Sequence, residues 1–180
     1  MNIIFLIGMP AAGKTYWGTR VAQASGLPFI DLDDFMAKRE HRNIPDMFLH
    51  GENWFRAKEH AALMALINEI NQPTIVATGG GTPCFFNNLR QMHRAGVNIY
   101  LKTKTDTLAA RVAKDNKERP LLRDVHNVSA ALQELYKQRE SCYEQANYIL
   151  HAEDISLINF DEIIFECINK RFPQGLSLQW

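Results

Sequence analysis

The segment from Gly8 to Thr15 has the residue types and the spacing that bind phosphate groups. It reads Gly-Met-Pro-Ala-Ala-Gly-Lys-Thr, which fits the pattern of glycine, any four residues and then Gly-Lys-Ser/Thr. The glycines let the backbone curl so that successive N–H groups point at an anion, and a helix beginning there directs its positive end at the same anion. Lys14 would add a mobile charge for the β- and γ-phosphates, and the Thr15 hydroxyl could ligate Mg²⁺. A glycine turn with an exposed lysine is the alternative, but a buried strand before the loop and a helix after it favour nucleotide binding.

Asp31 and Asp33 are the next candidates, because they lie two residues apart at the end of a short apolar run. Residues i and i+2 of an extended strand share a face, so both carboxylates are expected to point into one crevice. One could hold the water shell of Mg²⁺ while the other takes or orients the proton of an acceptor hydroxyl. The alternative is that Asp-Leu-Asp-Asp only caps the following helix.

Three further segments could complete a site for an acceptor molecule. Arg56 lies near the start of an amphipathic helix beside aromatic residues, although a solvated surface arginine is the simpler interpretation. Gly79, Gly80 and Gly81 predict that another group approaches the backbone closely, since three glycines cost conformational entropy; a flexible loop is the alternative. The segment 114–124 is charged and lacks periodicity, so it is either an exposed loop or a mobile lid that carries a cation to the phosphates.

These residues follow short apolar runs that alternate with longer helical patterns, as in β-α units around a parallel sheet. We predict strands at 3–7, 28–31, 74–78, 97–101 and 148–150, and helices at about 13–24, 52–70 and 128–145. A last helix is predicted from Asn159, since Glu162 three residues later resembles a capping signal. The sequence therefore predicts a single doubly wound α/β domain with a five-stranded parallel sheet flanked by helices. Ligands of such sheets bind outside the carboxyl ends of the strands.

Length and composition favour one globular domain and disfavour several classes of protein. The chain has 180 residues, 46% of them hydrophobic, and a formal net charge of zero. Nucleic-acid-binding proteins usually have a basic excess, so we expect no nucleic-acid partner. The apolar run at 3–7 is much shorter than the ~20 residues of a membrane span and no basic segment precedes it, so we expect no membrane partner. Three scattered cysteines form neither a zinc motif nor a disulfide framework, which favours a reducing, cytoplasmic location.

The candidate motifs, taken in order, resemble those of shikimate kinases. That family has the phosphate loop at the N-terminus, Asp-x-Asp after the second strand, Gly-Glu-x-x-Phe-Arg (51–56 here), a Gly-Gly-Gly turn, Arg-Pro-Leu-Leu (119–122 here) and a late helical arginine (Arg139 here). The resemblance spans about residues 3–170. It implies a P-loop kinase fold with a mobile lid at about 114–126, in a domain of residues 1–172 that is followed by a tail at 173–180.

The resemblance also implies a reaction and a role for each residue. A shikimate kinase transfers the γ-phosphoryl of Mg·ATP to the 3-hydroxyl of shikimate, giving shikimate 3-phosphate and ADP for chorismate and aromatic amino-acid biosynthesis. The implied ATP-binding residues are Ala11, Ala12, Gly13, Lys14, Thr15, Tyr16, Arg111 and Arg119. The implied shikimate-binding residues are Asp33, Arg56, Gly79, Gly80, Gly81 and Arg139. Lys14, Asp33 and Arg119 would be catalytic, and one Mg²⁺ per subunit would bind Thr15 directly and Asp31 through water. We expect a monomer.

Two features depart from the family pattern. Ala11 stands where the family often has a third glycine in the loop, and we expect alanine to be tolerated there at a negative φ. Thr82-Pro83-Cys84 follows the glycines where many relatives have a small residue and then valine, and we expect Cys84 to be a packing residue. The rival functions are a kinase of the same architecture for gluconate or a nucleoside monophosphate, and a nucleotide-binding regulatory module that has lost catalysis.

Overall fold

The computed structural model describes residues 3–115, 120–122, 125 and 127–171, with side chains described as far as Cys167. The strands are β1 (Ile3–Ile7), β2 (Phe29–Asp31), β3 (Thr74–Ala77), β4 (Gly96–Lys102) and β5 (Tyr148–His151). The helices are α1 (Lys14–Ser25), α2 (Leu32–Glu40), α3 (Ile44–Phe48), α4 (Glu52–Glu69), α5 (Asn88–Ala95), α6 (Thr105–Lys114), α7 (Val128–Tyr143) and α8 (Leu157–Arg171). Two short 3₁₀ helices lie at Thr82–Cys84 and Pro120–Leu122. The predicted tail and part of the predicted lid lie outside the described residues.

The five strands form one parallel sheet in the order β2-β3-β1-β4-β5. All five residues of β1, the central strand, are buried apolar side chains, as expected for a strand covered by helices on both faces. The chain builds β2 and β3 on one side of β1 and then β4 and β5 on the other. The order therefore changes direction beside β1, and the phosphate loop starts at the carboxyl end of that strand. Ligands of doubly wound sheets bind at this position.

The predicted architecture is confirmed, and each predicted strand is present with ends that differ by one residue at most. The predicted start of the last helix was wrong. Helix α8 begins at Leu157, and the amide and hydroxyl of Ser156 donate to Asn159 Oδ1 at 2.9 and 2.8 Å. Asn159 is thus the third helical residue and its side chain reaches back to the residue before the helix, where we expected it to be the cap itself.

The expectation that Asp31 and Asp33 extend from one strand was also wrong. Strand β2 ends at Asp31, and α2 begins with the next residue. Asp31 caps α2, since its side chain accepts a hydrogen bond from the amide of Asp33 at 3.0 Å. Capping, which was the alternative interpretation, is therefore correct for Asp31, and Asp33 lies in the first helical turn. Both carboxylates nevertheless line the same cavity.

Within the described ranges, no helix combines the length and the apolar character that crossing a membrane requires.

Candidate active site

A cavity of about 920 Å³ lies at the carboxyl ends of β1, β2 and β3. It is bounded on one side by the phosphate loop and on the other by the turn of three glycines. The predicted site residues that line it are Ala11, Gly13, Lys14, Thr15, Tyr16, Asp31, Asp33, Arg56, Gly79, Gly80, Gly81, Arg111 and Arg139. Ala12 is buried next to the cavity, and Arg119 lies outside the described residues. The fold thus brings the two predicted halves of the site into one continuous space.

The phosphate loop holds its lysine over its own backbone. Lys14 Nζ donates to the carbonyl oxygens of Gly8 and Met9, both at 2.8 Å, and the side chain is largely buried. Gly8 has a φ of 137°, and a Cβ there would lie 2.9 Å from the carbonyl oxygen of Leu101 on β4. A side chain at position 8 would therefore collide with the neighbouring strand. The loop can curl in this way only with glycine at its first position.

Ala11 was expected at a negative φ, and this prediction was wrong. Its φ is 64°, which is the left-handed region. A residue with a Cβ is less stable there by about 1–2 kcal/mol, because the Cβ crowds the following carbonyl. The glycine that the family often has at this position would avoid that strain. The loop keeps its anion-binding curl with alanine, at some expense in stability.

Arg111 contacts the phosphate loop from outside. Its Nη1 donates to the carbonyl oxygens of Ala11 and Ala12, both at 3.1 Å. The guanidinium therefore stabilises the turn of the loop, where Ala11 has a strained backbone and Ala12 is buried. The binding of ATP by Arg111 stays a prediction.

Thr15 and Asp31 form an oxygen pair at the bottom of the loop. The Thr15 hydroxyl donates to Asp31 Oδ2 at 2.7 Å. A hydroxyl and a carboxylate are the hard oxygen ligands that Mg²⁺ prefers, and Mg²⁺ usually keeps several waters beside one or two protein ligands and substrate phosphates. Among the described residues, no group of three or more His, Cys, Asp or Glu side chains is arranged to hold a metal ion. The pair at Thr15 and Asp31 fits Mg²⁺ shared with phosphate oxygens.

Arg56 is a buried cation held by two carboxylates. Its Nε and Nη2 donate to Glu52 Oε1 at 3.1 and 2.9 Å, and its Nη1 donates to Glu59 Oε2 at 2.8 Å. Glu59 is fully buried and also accepts a hydrogen bond from the Thr82 hydroxyl at 2.7 Å. The ring of Phe85 lies 4.3 Å from the Arg56 guanidinium carbon. We did not predict these carboxylates, although their positions four residues before and three residues after Arg56 are helical-neighbour spacings that could have identified them.

The three glycines make room for side chains of the protein itself. A Cβ at Gly79 would lie 2.6 Å from Glu59 Oε1, and one at Gly80 would lie 2.8 Å from a ring carbon of Pro10. A Cβ at Gly81 would lie 2.5 Å from the Arg56 guanidinium. The predicted close approach is confirmed. None of the three glycines has a positive φ, so it is space and not backbone conformation that requires glycine here.

Arg139 is the second buried cation on the side of the cavity that holds Arg56 and the three glycines, which we call the acceptor half. Its partners differ from those of Arg56. The residue is 4% exposed, and its Nη1 has no hydrogen-bond partner among the described residues. A buried donor of a charged group that has no acceptor lowers the stability of the folded state by about 1 to several kcal/mol. Because Arg139 also lines the cavity, this donor can bind an acceptor atom of a molecule that enters it. An anionic ligand in the cavity would satisfy it.

The family model for shikimate kinase matches residues 10–170, which is most of the chain. The chain belongs to the shikimate kinase family. The prediction of an ATP-dependent small-molecule kinase is confirmed by this membership, and the membership disfavours the gluconate and nucleoside monophosphate alternatives.

Individual shikimate kinases agree over nearly their full lengths. A shikimate kinase of Clostridium botulinum is 35% identical over 164 residues, which is 88% of this chain and 94% of the relative. The crystal structure of shikimate kinase from Bacteroides thetaiotaomicron superposes with a TM-score of 0.83 at 30% identity, covering 91% of this chain and 98% of the other. Shikimate kinase from Acinetobacter baumannii in complex with shikimate gives a TM-score of 0.82 at 29% identity, covering 95% of this chain and 94% of the other.

Thr82 and Cys84, which depart from the shikimate kinase pattern, have structural environments that explain them. Thr82 is fully buried and its hydroxyl binds Glu59, as described above. The thiol of Cys84 contacts that of Cys142, and this hydrogen bond together with burial raises the pKa of Cys84 well above its usual value. A thiol that stays protonated is a poor nucleophile. Both residues are therefore packing partners behind the glycine turn, as we expected for Cys84.

Proposed function

We propose that the chain transfers the γ-phosphoryl of ATP to the 3-hydroxyl of shikimate, giving shikimate 3-phosphate and ADP. We further propose that it uses one Mg²⁺ per subunit and acts in the cytoplasm as a monomer. The observation that carries the acceptor assignment is the unsatisfied Nη1 of Arg139 in a cavity shared with the phosphate loop. Family membership supports the same acceptor, because the relatives that match most of the chain are shikimate kinases.

The nucleotide half has the groups that a triphosphate requires. Lys14 lies at the start of α1, and its ammonium is on a flexible stem beside the loop. A rotation of that stem would exchange the carbonyl oxygens of Gly8 and Met9 for phosphate oxygens. The N-terminal end of α1 adds the positive end of its dipole. Thr15 and Asp31 would hold Mg²⁺, which would neutralise phosphate charge.

The acceptor half has two guanidinium groups for one carboxylate. Arg139 offers Nη1 directly. Arg56 donates three hydrogen bonds to Glu52 and Glu59, but the Glu52 side chain is 41% exposed, whereas Glu59 is buried. The substrate carboxylate would therefore displace Glu52, because an exposed carboxylate can return to water at little expense. Glu59 would stay in place and keep the Arg56 fork oriented. Two guanidinium forks can bind a carboxylate in a defined orientation.

Asp33 lies between the two halves. Its Oδ1 is 3.1 Å from the position that a Cβ of Gly79 would occupy, so the carboxylate faces the glycine turn in the cavity. From there it would align the attacking hydroxyl with the γ-phosphorus. Phosphoryl transfer passes through a loose transition state, so catalysis consists mainly of this positioning and of charge stabilisation. Arg119, on the proposed lid, would contribute a further cation.

An ADP-release assay with three acceptors tests the proposal. ATP and Mg²⁺ are supplied with shikimate, gluconate or AMP, and ADP formation is followed by enzymatic coupling. We expect ADP release to depend on shikimate and to be absent in the Lys14→Ala variant. Release with gluconate or AMP but not shikimate would transfer the assignment to that acceptor. Nucleotide binding without turnover on any acceptor would favour the regulatory module.

A further inference from the structure

Tyr143 is a fully buried residue at the end of α7 that no step above uses. It lies four residues after Arg139, so the two side chains share one face of the helix. Its ring packs against that of Tyr100 on β4, with the centroids 5.1 Å apart. The same Tyr100 ring lies 3.3 Å from the Cβ position of Gly8. Tyr143 is thus packed beneath the phosphate loop and beside the arginine of the acceptor half.

The hydroxyl of Tyr143 contacts both halves of the cavity wall. It donates to the carbonyl oxygen of Gly80 at 2.5 Å, and it lies 3.8 Å from Met9 Sδ in the phosphate loop. Burial raises the pKa of Tyr143 above its usual value, so the group stays a protonated donor. On its other side, Gly80 packs against Pro10 of the phosphate loop. The Gly80 carbonyl is therefore fixed between α7 and the loop.

This bond also sets the direction of the next amide. The peptide between Gly80 and Gly81 is trans and planar, so its carbonyl and its N–H point in opposite directions. With the carbonyl directed at Tyr143, the Gly81 N–H points away from α7. The Gly81 carbonyl accepts from the Cys84 amide at 2.9 Å, whereas the Gly81 N–H makes none of the backbone–backbone hydrogen bonds of the described turns and loops. Both glycines line the cavity.

We propose that Tyr143 is a positioning residue: its hydroxyl orients the Gly80–Gly81 peptide so that the Gly81 N–H donates to the acceptor substrate at a fixed distance from the phosphate loop. This inference rests on the proposed function of the cavity. Without the hydroxyl, the peptide could rotate and the amide donor would leave the substrate. The nucleotide half would be affected less, because the contact of the hydroxyl with the phosphate loop is the long 3.8 Å approach to Met9 Sδ, whereas its bond to the Gly80 carbonyl is short.

Tyr143→Phe tests the inference, because it removes one oxygen and keeps the ring. A misplacement of about 1 Å at a reacting group can lower the rate ~100-fold. We expect kcat/KM for shikimate, at saturating ATP, to fall about 10- to 100-fold, while KM for ATP changes less than about twofold. Tyr148→Phe is the matched control. It also removes a tyrosine hydroxyl, one that donates to Glu166 Oε2 at 2.6 Å, but Tyr148 lies outside the cavity wall. The control should keep wild-type kinetic constants.

The split between the two substrates distinguishes positioning from packing. A lowered melting temperature with unchanged kcat/KM for shikimate would overturn the inference, because the hydroxyl would then only stabilise the fold. Equal losses for ATP and shikimate would overturn it as well. If the wild type uses gluconate or AMP in place of shikimate, the proposed function fails, and the same comparison made with that acceptor still tests Tyr143.

Instability of the variant would not prevent the test. His41 is exposed and ends α2 in the left-handed conformation, with a φ of 51°. Glycine adopts this conformation without strain, so His41→Gly should stabilise the protein at an exposed position that does not line the cavity. Should Tyr143→Phe unfold below the assay temperature, His41→Gly and His41→Gly/Tyr143→Phe are compared instead. The expected and contradicting outcomes are the same in that background.

Discussion

Arg56 and Arg139 are two buried guanidinium groups whose surroundings give them different roles. Arg56 is neutralised by Glu52 and Glu59, and its guanidinium fills the space beside Gly81. Removing it would leave buried Glu59 without its cation, which is strongly destabilising in general. Arg139 Nη1 has no described partner to lose. Arg139 hydrogen-bonds the neutral side chain of Tyr143, so its removal, unlike that of Arg56, leaves no described buried carboxylate without its cation.

We predict that Arg139→Ala raises KM for shikimate about 10- to 100-fold and leaves KM for ATP within about twofold. Hydrogen bonds to charged groups contribute roughly 1.5–3 kcal/mol, which corresponds to that range. Steady-state kinetics with each substrate varied in turn measure both constants. Lys137→Ala, an exposed position on the same helix, is the control for losing a cation from α7. An unchanged KM for shikimate in Arg139→Ala would contradict the carboxylate assignment.

Ala11 provides a second prediction for a single residue. Because its φ of 64° strains a residue with a Cβ, Ala11→Gly should stabilise the folded state by about 1–2 kcal/mol. The greater freedom of glycine in the unfolded chain offsets about 0.4–1 kcal/mol of this, so urea unfolding should show a net gain of at most about 1.6 kcal/mol. Ala61→Gly, at an exposed position inside α4, is the same chemical change at a helical φ. It should lower stability by about 0.5–1 kcal/mol, and a loss in both variants would refute the strain argument.

At the scale of elements, the strands were predictable and the segment after β2 was not. The strands are short apolar runs bounded by glycine, proline or polar residues, and this local signal suffices for buried parallel strands. Strand β2 has only three residues, and α2 begins directly after it. Asp-Leu-Asp-Asp is compatible with both a strand end and a helix cap, so the sequence left the geometry of the two carboxylates open. The two carboxylates still line one cavity, because the start of α2 faces it.

The missing parts of the site depend on contacts between elements distant in sequence. The phosphate loop, the arginines and the glycines could be predicted, because each has a local pattern. The bond from Thr82 to Glu59 joins residues 23 positions apart, and the bond from Tyr143 to Gly80 joins residues 63 positions apart. No local spacing encodes such partners, since they arise only when α4 and α7 pack beside the glycine turn.

Asp31 connects an element to the site, because one side chain both caps α2 and binds Thr15. Asp31→Asn should keep the cap, since asparagine caps helices about as well as aspartate, but it loses the charge that Mg²⁺ would require. We predict unfolding free energy within about 0.5 kcal/mol of the wild type and a roughly tenfold higher Mg²⁺ concentration for half-maximal activity. Asp31→Ala should lose about 1 kcal/mol in addition. Normal Mg²⁺ dependence in Asp31→Asn would remove this carboxylate from the metal site.

At the scale of the whole molecule, the end of the chain supports the loop at its beginning. Phe160 of α8 is fully buried, and its ring centroid lies 5.8 Å from that of Trp17 in α1. Trp17 Cδ1 in turn lies 3.5 Å from the Cβ position of Gly13 in the phosphate loop. Helix α8 therefore closes the core behind the loop that binds phosphate. Residues almost 150 positions apart share one packing layer.

Replacing Phe160 tests whether this layer is required for folding. Removing a fully buried phenylalanine side chain costs about 3–5 kcal/mol, so Phe160→Ala should lower the unfolding free energy by that amount in urea titrations. Phe165→Ala is the matched control, because Phe165 lies five residues later in the same helix and is 61% exposed. The control should change stability by no more than about 0.5 kcal/mol. Similar small effects in both variants would mean that α8 is dispensable for the fold, and the support of the phosphate loop would then have to come from α1 and the sheet alone.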